Sequence, residues 1–276
     1  MKSIYVLSFF LLLSCSSTKT VEAPVSSIFP SVTEKVTALP PRENFYLFLL
    51  AGQSNMAGRG VIAAADTLAS TQVLTLDKDN QWVYAKEPLH FYEPQRTGLD
   101  CGLSFGKELS KLLGKNITIG LVPCAVGGSS VEQWLYDSTY RGVQLYSNLH
   151  TRSKLAQHDG IIKGILWHQG ETNANAHSYP DYQNKLRQLF LNIREDLDQP
   201  DLPVYAGELA SFLSRATNPF ADSVNKDLHA LSASMKNFYL INTADLSSKP
   251  DSIHFDAASQ RLIGKRFAQL AFQHEK

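Results

Sequence analysis

The sequence predicts an α/β fold in which five parallel strands form a central sheet with helices on both of its faces. The first reason is that five short apolar runs have the length and composition of strands buried on both sides. The second reason is that segments with a helical period follow most of these runs, so strand and helix alternate along the chain. Such alternation favours parallel strands joined by helical crossovers.

The expected strands, in chain order, are 45–51, 117–122, 161–167, 202–206 and 238–242. The expected helices are 103–113, 179–197, 220–235 and 257–272. Asp256 is a candidate N-cap for the last helix, because its carboxylate can accept from free N–H groups of the first turn. Residues 73–76 and 82–84 flank the polar turn 77–80, which predicts a hairpin inserted after the first unit.

Composition and charge limit the classes of protein to consider. The chain has 276 residues, with 26 Lys and Arg against 26 Asp and Glu, so its formal net charge is zero. Nucleic acid binding needs a basic excess or patch, so this balance argues against a nucleic acid partner. Because 43% of the residues are hydrophobic and 19% are charged, the chain can bury a core.

The N-terminus has the pattern of a targeting segment. Lys2 precedes an apolar run over 4–13, which Ser14 and Cys15 follow. This pattern resembles a bacterial lipoprotein signal, which implies cleavage before Cys15 and lipidation of its thiol. The expected location is the bacterial cell envelope, with the membrane reached only through this lipid. The alternative is an ordinary secretory signal that contains a cysteine; in both cases 1–15 lies outside the fold.

The chain divides into three parts by composition. After the signal, residues 16–41 are rich in Ser, Thr, Val and Pro without a helical or strand period, which predicts a flexible tether. Residues 42–276 then form one domain, with no second linker or repeat inside it. Of the remaining cysteines, Cys101 and Cys124 could pair in an oxidising compartment, but two small buried thiols are the favoured interpretation.

Polar segments follow the predicted strands, and in a parallel sheet sites lie beyond the carboxyl ends of the strands. Ser54 comes directly after the first strand, in a glycine-containing turn, where it is a candidate nucleophile with a free N–H or else a helix N-cap. Gly127 and Gly128 follow the second strand; paired glycines allow close backbone approach to a ligand, although a plain turn also explains them.

The other two segments carry further candidate groups. Gln169 follows the third strand, between His168 and Glu171, and its amide can donate to an oxyanion. After the fifth strand, Asp251 and His254 are three residues apart, so the carboxylate can orient the imidazole as a base. The alternatives are locally satisfied side chains in the first case and a solvated surface loop in the second.

Together the four segments resemble the SGNH (GDSL-like) hydrolase superfamily. The resemblance is to its carbohydrate acetylesterase branch, which includes acetylxylan esterases and sialate O-acetylesterases. It covers nearly all of 42–273 and rests on four signatures: GQSNM at 52–56, Gly-Gly-Ser at 127–129 with Trp134 downstream, HQGE at 168–171, and Asp251-x-x-His254. It implies a three-layer α/β/α, flavodoxin-like fold around the parallel sheet.

The resemblance also implies roles for individual residues. Ser54 would be the nucleophile, His254 the base and Asp251 the group that orients it. The oxyanion hole would consist of the N–H groups of Ser54 and Gly128 and the side chain of Gln169. Four further residues would surround and support these groups: Gln53, Asn55, Gly127 and Glu171, the last as an anchor for the Gln169 loop.

The expected function is therefore a serine esterase that removes O-acetyl groups from acetylated carbohydrates, without a metal or cofactor. An α/β-hydrolase would need Gly-x-Ser-x-Gly, which 52–56 lacks, and a zinc hydrolase would need clustered histidines, which the scattered eight do not provide. Three alternatives stay open: a sialate O-acetylesterase, a lysophospholipase or thioesterase of the same superfamily, and a sugar-binding lipoprotein that has lost catalysis.

Overall fold

The computed structural model describes residues 33–216 and 218–275. Its strands are β1 (Phe45–Gly52), β2 (Val73–Leu76), β3 (Trp82–Tyr84), β4 (Thr118–Pro123), β5 (Thr139–Tyr140), β6 (Val143–Gln144), β7 (Ile161–His168), β8 (Val204–Gly207) and β9 (Phe238–Ile241). Its α-helices are α1 (Ser54–Ala57), α2 (Gly102–Leu113), α3 (Val131–Leu135), α4 (Leu145–Asp159), α5 (Tyr182–Asp196), α6 (Ser211–Ala216), α7 (Ala221–Ser234) and α8 (Ala257–His274).

Seven strands form the central sheet, in the order β3-β2-β4-β1-β7-β8-β9. All neighbours are parallel except β3, which runs antiparallel to β2 at the edge. The five expected strands are confirmed to within two residues at either end. The hairpin is also confirmed, but it is part of the sheet, so the expected count of five strands was wrong. All four residues of β2 are buried. A run of four is too short to indicate from the sequence that the strand is covered on both faces.

Helices cover both faces of the sheet, which gives the three expected layers. In β1, Phe48 and Leu50 face the α2 and α8 side, whereas Leu47 and Leu49 face the side of α4, α5 and α7. Side chains that alternate along a strand point to opposite faces, so each layer has its own core. The four expected helices are confirmed, except that the first turn of 179–197 is a separate 3-10 turn, Tyr179–Asp181.

Sequence reasoning missed helix α4, and the reason is its polar character. Leu145, Leu149 and Ala156 are its buried apolar residues, and Arg152 is buried beside them. The Arg152 guanidinium donates to the Leu76 and Asp77 carbonyl oxygens at 2.7 and 3.0 Å, at the end of β2. A buried arginine that satisfies strand carbonyls replaces part of the usual apolar stripe, which removed the helical signal.

The first residues of the chain that the structure describes, from 33 onward, lie inside the expected tether. Val36 N–H donates to Trp82 O at 3.2 Å, and Tyr84 N–H donates to Glu34 O at 3.0 Å. Residues 34–36 thus lie along β3, and the tether as expected over 16–41 was too long at its C-terminal end. Cys15 and the expected signal 1–15 lie outside the described residues. None of the described helices is long and apolar enough to cross a membrane.

The cysteine interpretation is confirmed for the two cysteines that the structure describes. Cys101 and Cys124 are both buried and free. Cys101 is at the start of α2, where its thiol lies 3.8 Å from the Met56 sulfur, and Cys124 follows β4. The two thiols therefore act as small core residues.

Candidate active site

Ser54 lies at the turn between β1 and α1, at the carboxyl edge of the sheet. The turn needs glycine at 52, because its φ is +133° and a Cβ there would lie 2.2 Å from His168 O. Gln53 N–H donates to the same His168 oxygen at 2.9 Å, which fixes the turn against β7. Ser54 then begins a single helical turn and is 7% exposed.

The Asp251–His254 loop lies between β9 and α8 and folds tightly on itself. Asp251 Oδ1 accepts from the N–H groups of Ile253 and His254, each at 2.9 Å, and Oδ2 lies 2.9 Å from His254 Nδ1. Burial acts to raise the pKa of the Asp251 carboxyl, but these hydrogen bonds outweigh it and lower the pKa to about 2. The carboxylate is therefore ionised at neutral pH and orients the ring.

The structure brings Ser54, His254 and Asp251 into one hydrogen-bonded chain. His254 Nε2 lies 3.0 Å from Ser54 Oγ, although 200 residues separate them in sequence. The Asp251 carboxylate accepts from Nδ1–H, so a neutral ring presents the lone pair of Nε2 to the hydroxyl. This arrangement can take the proton of Ser54 as the oxygen attacks a carbonyl carbon.

The Gly127–Gly128 turn lies beside Ser54 because both turns are attached to Gly52. The carbonyl oxygen of Gly52 accepts from Val126 N–H and from Ser129 Oγ, each at 3.2 Å. Gly128 has a φ of +81°. Among the described residues, no acceptor is found for the N–H of Ser54 or for that of Gly128. Both N–H groups are therefore available to a developing negative charge on a ligand oxygen.

A charge cluster around the buried Glu93, which sequence reasoning missed, holds the Gly127–Gly128 turn. Glu93 Oε2 accepts from Gly127 N–H at 2.6 Å and from Arg59 at 2.7 Å, while its Oε1 accepts from Arg141 at 2.6 Å. A Cβ on Gly127 would lie 2.1 Å from Arg59 Nη2. Gly127 is thus required for the approach of the cluster. No spacing in the sequence relates Glu93 to the glycine pair.

The structure gives Gln169 a different place from the one expected. Its side chain is fully buried, and Nε2 donates to Asn173 Oδ1 at 2.7 Å, Ser129 O at 3.2 Å and Gln53 Oε1 at 3.3 Å. With both amide hydrogens directed at protein acceptors, Gln169 presents no donor to an oxyanion in this conformation. Instead it ties together the β7 loop, the Ser54 turn and the segment before α3.

Gln169→Glu should lower the free energy of unfolding by about 3–5 kcal/mol, because it buries a carboxylate among three acceptors. Denaturant unfolding measures this loss. Gln188→Glu is the matched control, since Gln188 donates to an asparagine oxygen, Asn192 Oδ1, from an exposed helix face. A Gln169→Glu variant as stable as the wild type but catalytically defective would instead support the oxyanion role.

The remaining expected residues are close together behind the Ser54 turn. Gln53 Oε1 accepts from Thr172 N–H at 3.2 Å, and Asn55 Nδ2 donates to Glu171 Oε1 at 2.5 Å. Glu171 also lies 3.6 Å from Nδ1 of His168, whose ring is buried. Burial lowers the pKa of His168, while Glu171 acts in the opposite direction. These side chains support the Ser54 turn.

The described residues include no group of three or more His, Cys, Asp or Glu side chains that could hold a metal ion. At this edge of the sheet, the site combines a serine, an oriented imidazole and two N–H groups without an acceptor among the described residues. Together they have the components needed for acyl transfer at an ester.

Comparison with known proteins agrees with the fold and defines the class. NanS has the same fold, at 17% identity and a TM-score of 0.68 over 86% of this chain and 99% of that one. Residues 44–273 match the family of carbohydrate esterases described as sialic acid-specific acetylesterases. The chain belongs to this family of carboxylic ester hydrolases.

Individual relatives support this assignment. A probable carbohydrate esterase of Arabidopsis thaliana is 30% identical over 252 residues, covering 84% of this chain and 90% of the relative. A crystal structure of an Arabidopsis thaliana protein has a TM-score of 0.74 at 29% identity and covers 85% of this chain and 99% of its own. A carbohydrate acetylesterase from Xanthomonas citri shares the fold at 19% identity and a TM-score of 0.61, covering 84% of this chain and 56% of that chain.

Proposed function

We propose that this protein is a serine esterase that removes O-acetyl groups from acetylated sugars or polysaccharides through an acetyl-enzyme at Ser54. The observation that carries the proposal is the chain of hydrogen bonds from Asp251 through His254 to Ser54, with distances of 2.9 and 3.0 Å. The unpaired N–H groups of Ser54 and Gly128 supply the second requirement, which is stabilisation of an oxyanion.

Acylation follows from this geometry. Ser54 Oγ attacks the acetyl carbonyl carbon while His254 Nε2 takes the hydroxyl proton, and Asp251 stabilises the imidazolium that forms. The carbonyl oxygen becomes an oxyanion that accepts from the N–H groups of Ser54 and Gly128. When the intermediate collapses, the bond to the sugar oxygen breaks, and His254 returns its proton to that oxygen so that the sugar leaves as an alcohol.

Deacylation uses the same groups with water as the nucleophile. His254 Nε2 removes a proton from water, which attacks the acetyl carbon on Ser54, and the two N–H groups again receive the oxyanion. Collapse breaks the bond to Ser54 Oγ, which regains a proton from His254, and acetate leaves. The imidazole must be neutral at the start of each half-reaction. Asp251 then keeps the ring proton on Nδ1, so that Nε2 is free to accept a proton.

The choice of substrate rests on the family and its members. The family description specifies sialic acid as the sugar, and the similar Arabidopsis protein is described as a probable carbohydrate esterase. These descriptions support an acetylated carbohydrate and make a sialate O-acetylesterase the second candidate. Hydrolysis of lysophospholipids or thioesters and a non-catalytic sugar-binding role are the remaining alternatives.

Acetate release from a set of esters tests the proposal. The set includes acetylated xylan, 9-O-acetyl sialic acid, 4-nitrophenyl acetate and 4-nitrophenyl palmitate, and Ser54→Ala is the control. We expect acetate from at least one sugar ester and faster cleavage of the acetyl than of the palmitoyl ester. Preference for the palmitoyl ester would indicate a lipase-type enzyme, and no cleavage of any ester would contradict an esterase.

We also propose that the protein is lipid-anchored at Cys15 in a bacterial cell envelope, which rests on the sequence around 1–15. Cys15→Ala should then move the full-length protein from the membrane fraction to the soluble or unprocessed pool. Cell fractionation and mass spectrometry of the N-terminal peptide measure this. A wild-type protein that is wholly soluble, with an unmodified Cys15, would exclude the anchor without affecting the esterase proposal.

A further inference from the structure

Asn55 connects the nucleophile turn to the loop that carries the base. It follows Ser54 directly, and its residue is 3% exposed. Its Oδ1 accepts from Phe255 N–H at 3.1 Å, and its Nδ2 donates to Ile253 O at 3.3 Å. These two backbone groups flank His254. One short side chain therefore holds the imidazole-bearing residue from both sides.

The orientation of the Asn55 amide is determined by these partners. Phe255 N–H can only donate, so the atom that faces it is the amide oxygen. The amide nitrogen then faces Ile253 O, a carbonyl oxygen that can only accept, at 3.3 Å. It also donates to Glu171 Oε1 at 2.5 Å. Both hydrogens and the oxygen of the amide are thus engaged, and no rotation of the group satisfies the same partners.

The main chain of Asn55 is fixed as well. Its carbonyl oxygen accepts from Gln260 Nε2 at 2.9 Å, and Gln260 is a fully buried residue on α8. Asn55 is therefore attached to α8 through its backbone, to the His254 loop through its amide and to the loop after β7 through Glu171. Two parts of the chain that are far apart in sequence, the loop after β7 and the His254 loop with the α8 that follows it, thus meet at the residue next to the serine.

We propose that Asn55 is a positioning residue that sets the distance between Ser54 Oγ and His254 Nε2. The inference rests on the proposed serine esterase function and adds to it the group that holds the nucleophile and the base in register. A side chain bonded on both sides of His254 prevents the loop from moving away from Ser54. Misplacement of a catalytic group by about 1 Å is enough to lower a rate about 10²-fold.

Asn55→Asp tests this role with a change of a single heavy atom. A carboxylate oxygen replaces Nδ2 and faces the oxygen of Ile253 and the carboxylate of Glu171, so the loop is repelled instead of held. We expect kcat for 4-nitrophenyl acetate to fall by about 10²-fold or more with little change in KM. The rate at which a serine-directed phosphonate labels Ser54 should fall in parallel, because it depends on the same base.

Two further variants separate positioning from stability. In Asn55→Asp combined with Glu171→Gln, the new amide can donate to the new carboxylate, so at least about tenfold of the lost kcat should return. Asn225→Asp is the matched control, because the Asn225 amide likewise clamps both backbone groups of one residue, Leu209, at 2.7 and 2.9 Å. It should lower the melting temperature without slowing the phosphonate reaction. If Asn55→Asp does not fold, Asn55→Ala removes the same bonds without adding charge and carries the same expectation.

The proposal is overturned if a folded Asn55→Asp or Asn55→Ala variant keeps wild-type kcat and labelling rate, or if Asn225→Asp slows labelling to the same extent. Failure of the proposed function has a different signature. In that case Ser54→Ala would keep its activity and the phosphonate would not label Ser54 in the wild type.

Discussion

Ser54→Ala is expected to reduce kcat by about 10⁴ to 10⁶ on any ester that the enzyme cleaves, by analogy with the loss of other serine nucleophiles. The substitution removes the only oxygen that His254 Nε2 contacts at 3.0 Å among the described residues. It leaves the turn intact, since Gly52 and Gln53 are held by main-chain contacts with β7. The fold and melting temperature should therefore be close to those of the wild type.

Steady-state kinetics with 4-nitrophenyl acetate and peptide mapping after phosphonate labelling measure this effect. Ser252→Ala is the control, because Ser252 lies in the Asp251–His254 loop but its hydroxyl is outside the hydrogen-bonded chain. Ser252→Ala should keep activity and labelling. If Ser54→Ala retains activity within tenfold, the assignment of the nucleophile fails.

His254→Ala is expected to cause a loss of similar size, and Asp251→Asn a smaller one. Removing the imidazole removes the base of both half-reactions, whereas Asp251→Asn leaves the base but no longer stabilises its charged form or selects its tautomer. Comparison of kcat for the two variants at one pH measures the difference. A larger loss for Asp251→Asn than for His254→Ala would contradict these roles.

The pH dependence has a predictable sign. Because the pKa of Asp251 is lowered to about 2, its carboxylate stays ionised in mild acid, and its contribution to stability is lost only as pH falls through that value. Because His254 can act as a base only when its imidazole is neutral, kcat/KM should rise with pH to a plateau. A profile that is flat between about pH 5 and 9 would argue against a histidine base.

The strands and the residues of the hydrogen-bonded chain could be predicted from the sequence for a physical reason. Buried parallel strands are continuous apolar runs, and the polar residues that follow them meet at one edge of the sheet. Ser54 and His254 could thus be expected near each other although 200 residues separate them. That β2 and β3 extend the central sheet was harder to predict, because β2 is short and β3 has only three residues.

The contacts that support the Ser54 turn and the glycine pair could not be predicted from the sequence, because they depend on side-chain positions that no spacing specifies. Gln169 was expected to donate to an oxyanion, but Asn173 and Ser129 O receive its amide hydrogens. Glu93 lies in a loop without a regular pattern and still binds the N–H of Gly127. Such contacts join three or more loops, and the geometry between loops arises only after the sheet is formed.

In the proposed reaction, an acetyl group passes from the substrate to Ser54 Oγ. The most direct test is rapid quenching of the enzyme with an acetylated substrate, followed by mass spectrometry of the peptide that contains residues 52–59. We expect a transient mass gain of one acetyl group on Ser54 that disappears as acetate is released and is absent in Ser54→Ala. Release of acetate at the normal rate with Ser54 never acetylated, or with the acetyl group on another residue, would contradict it.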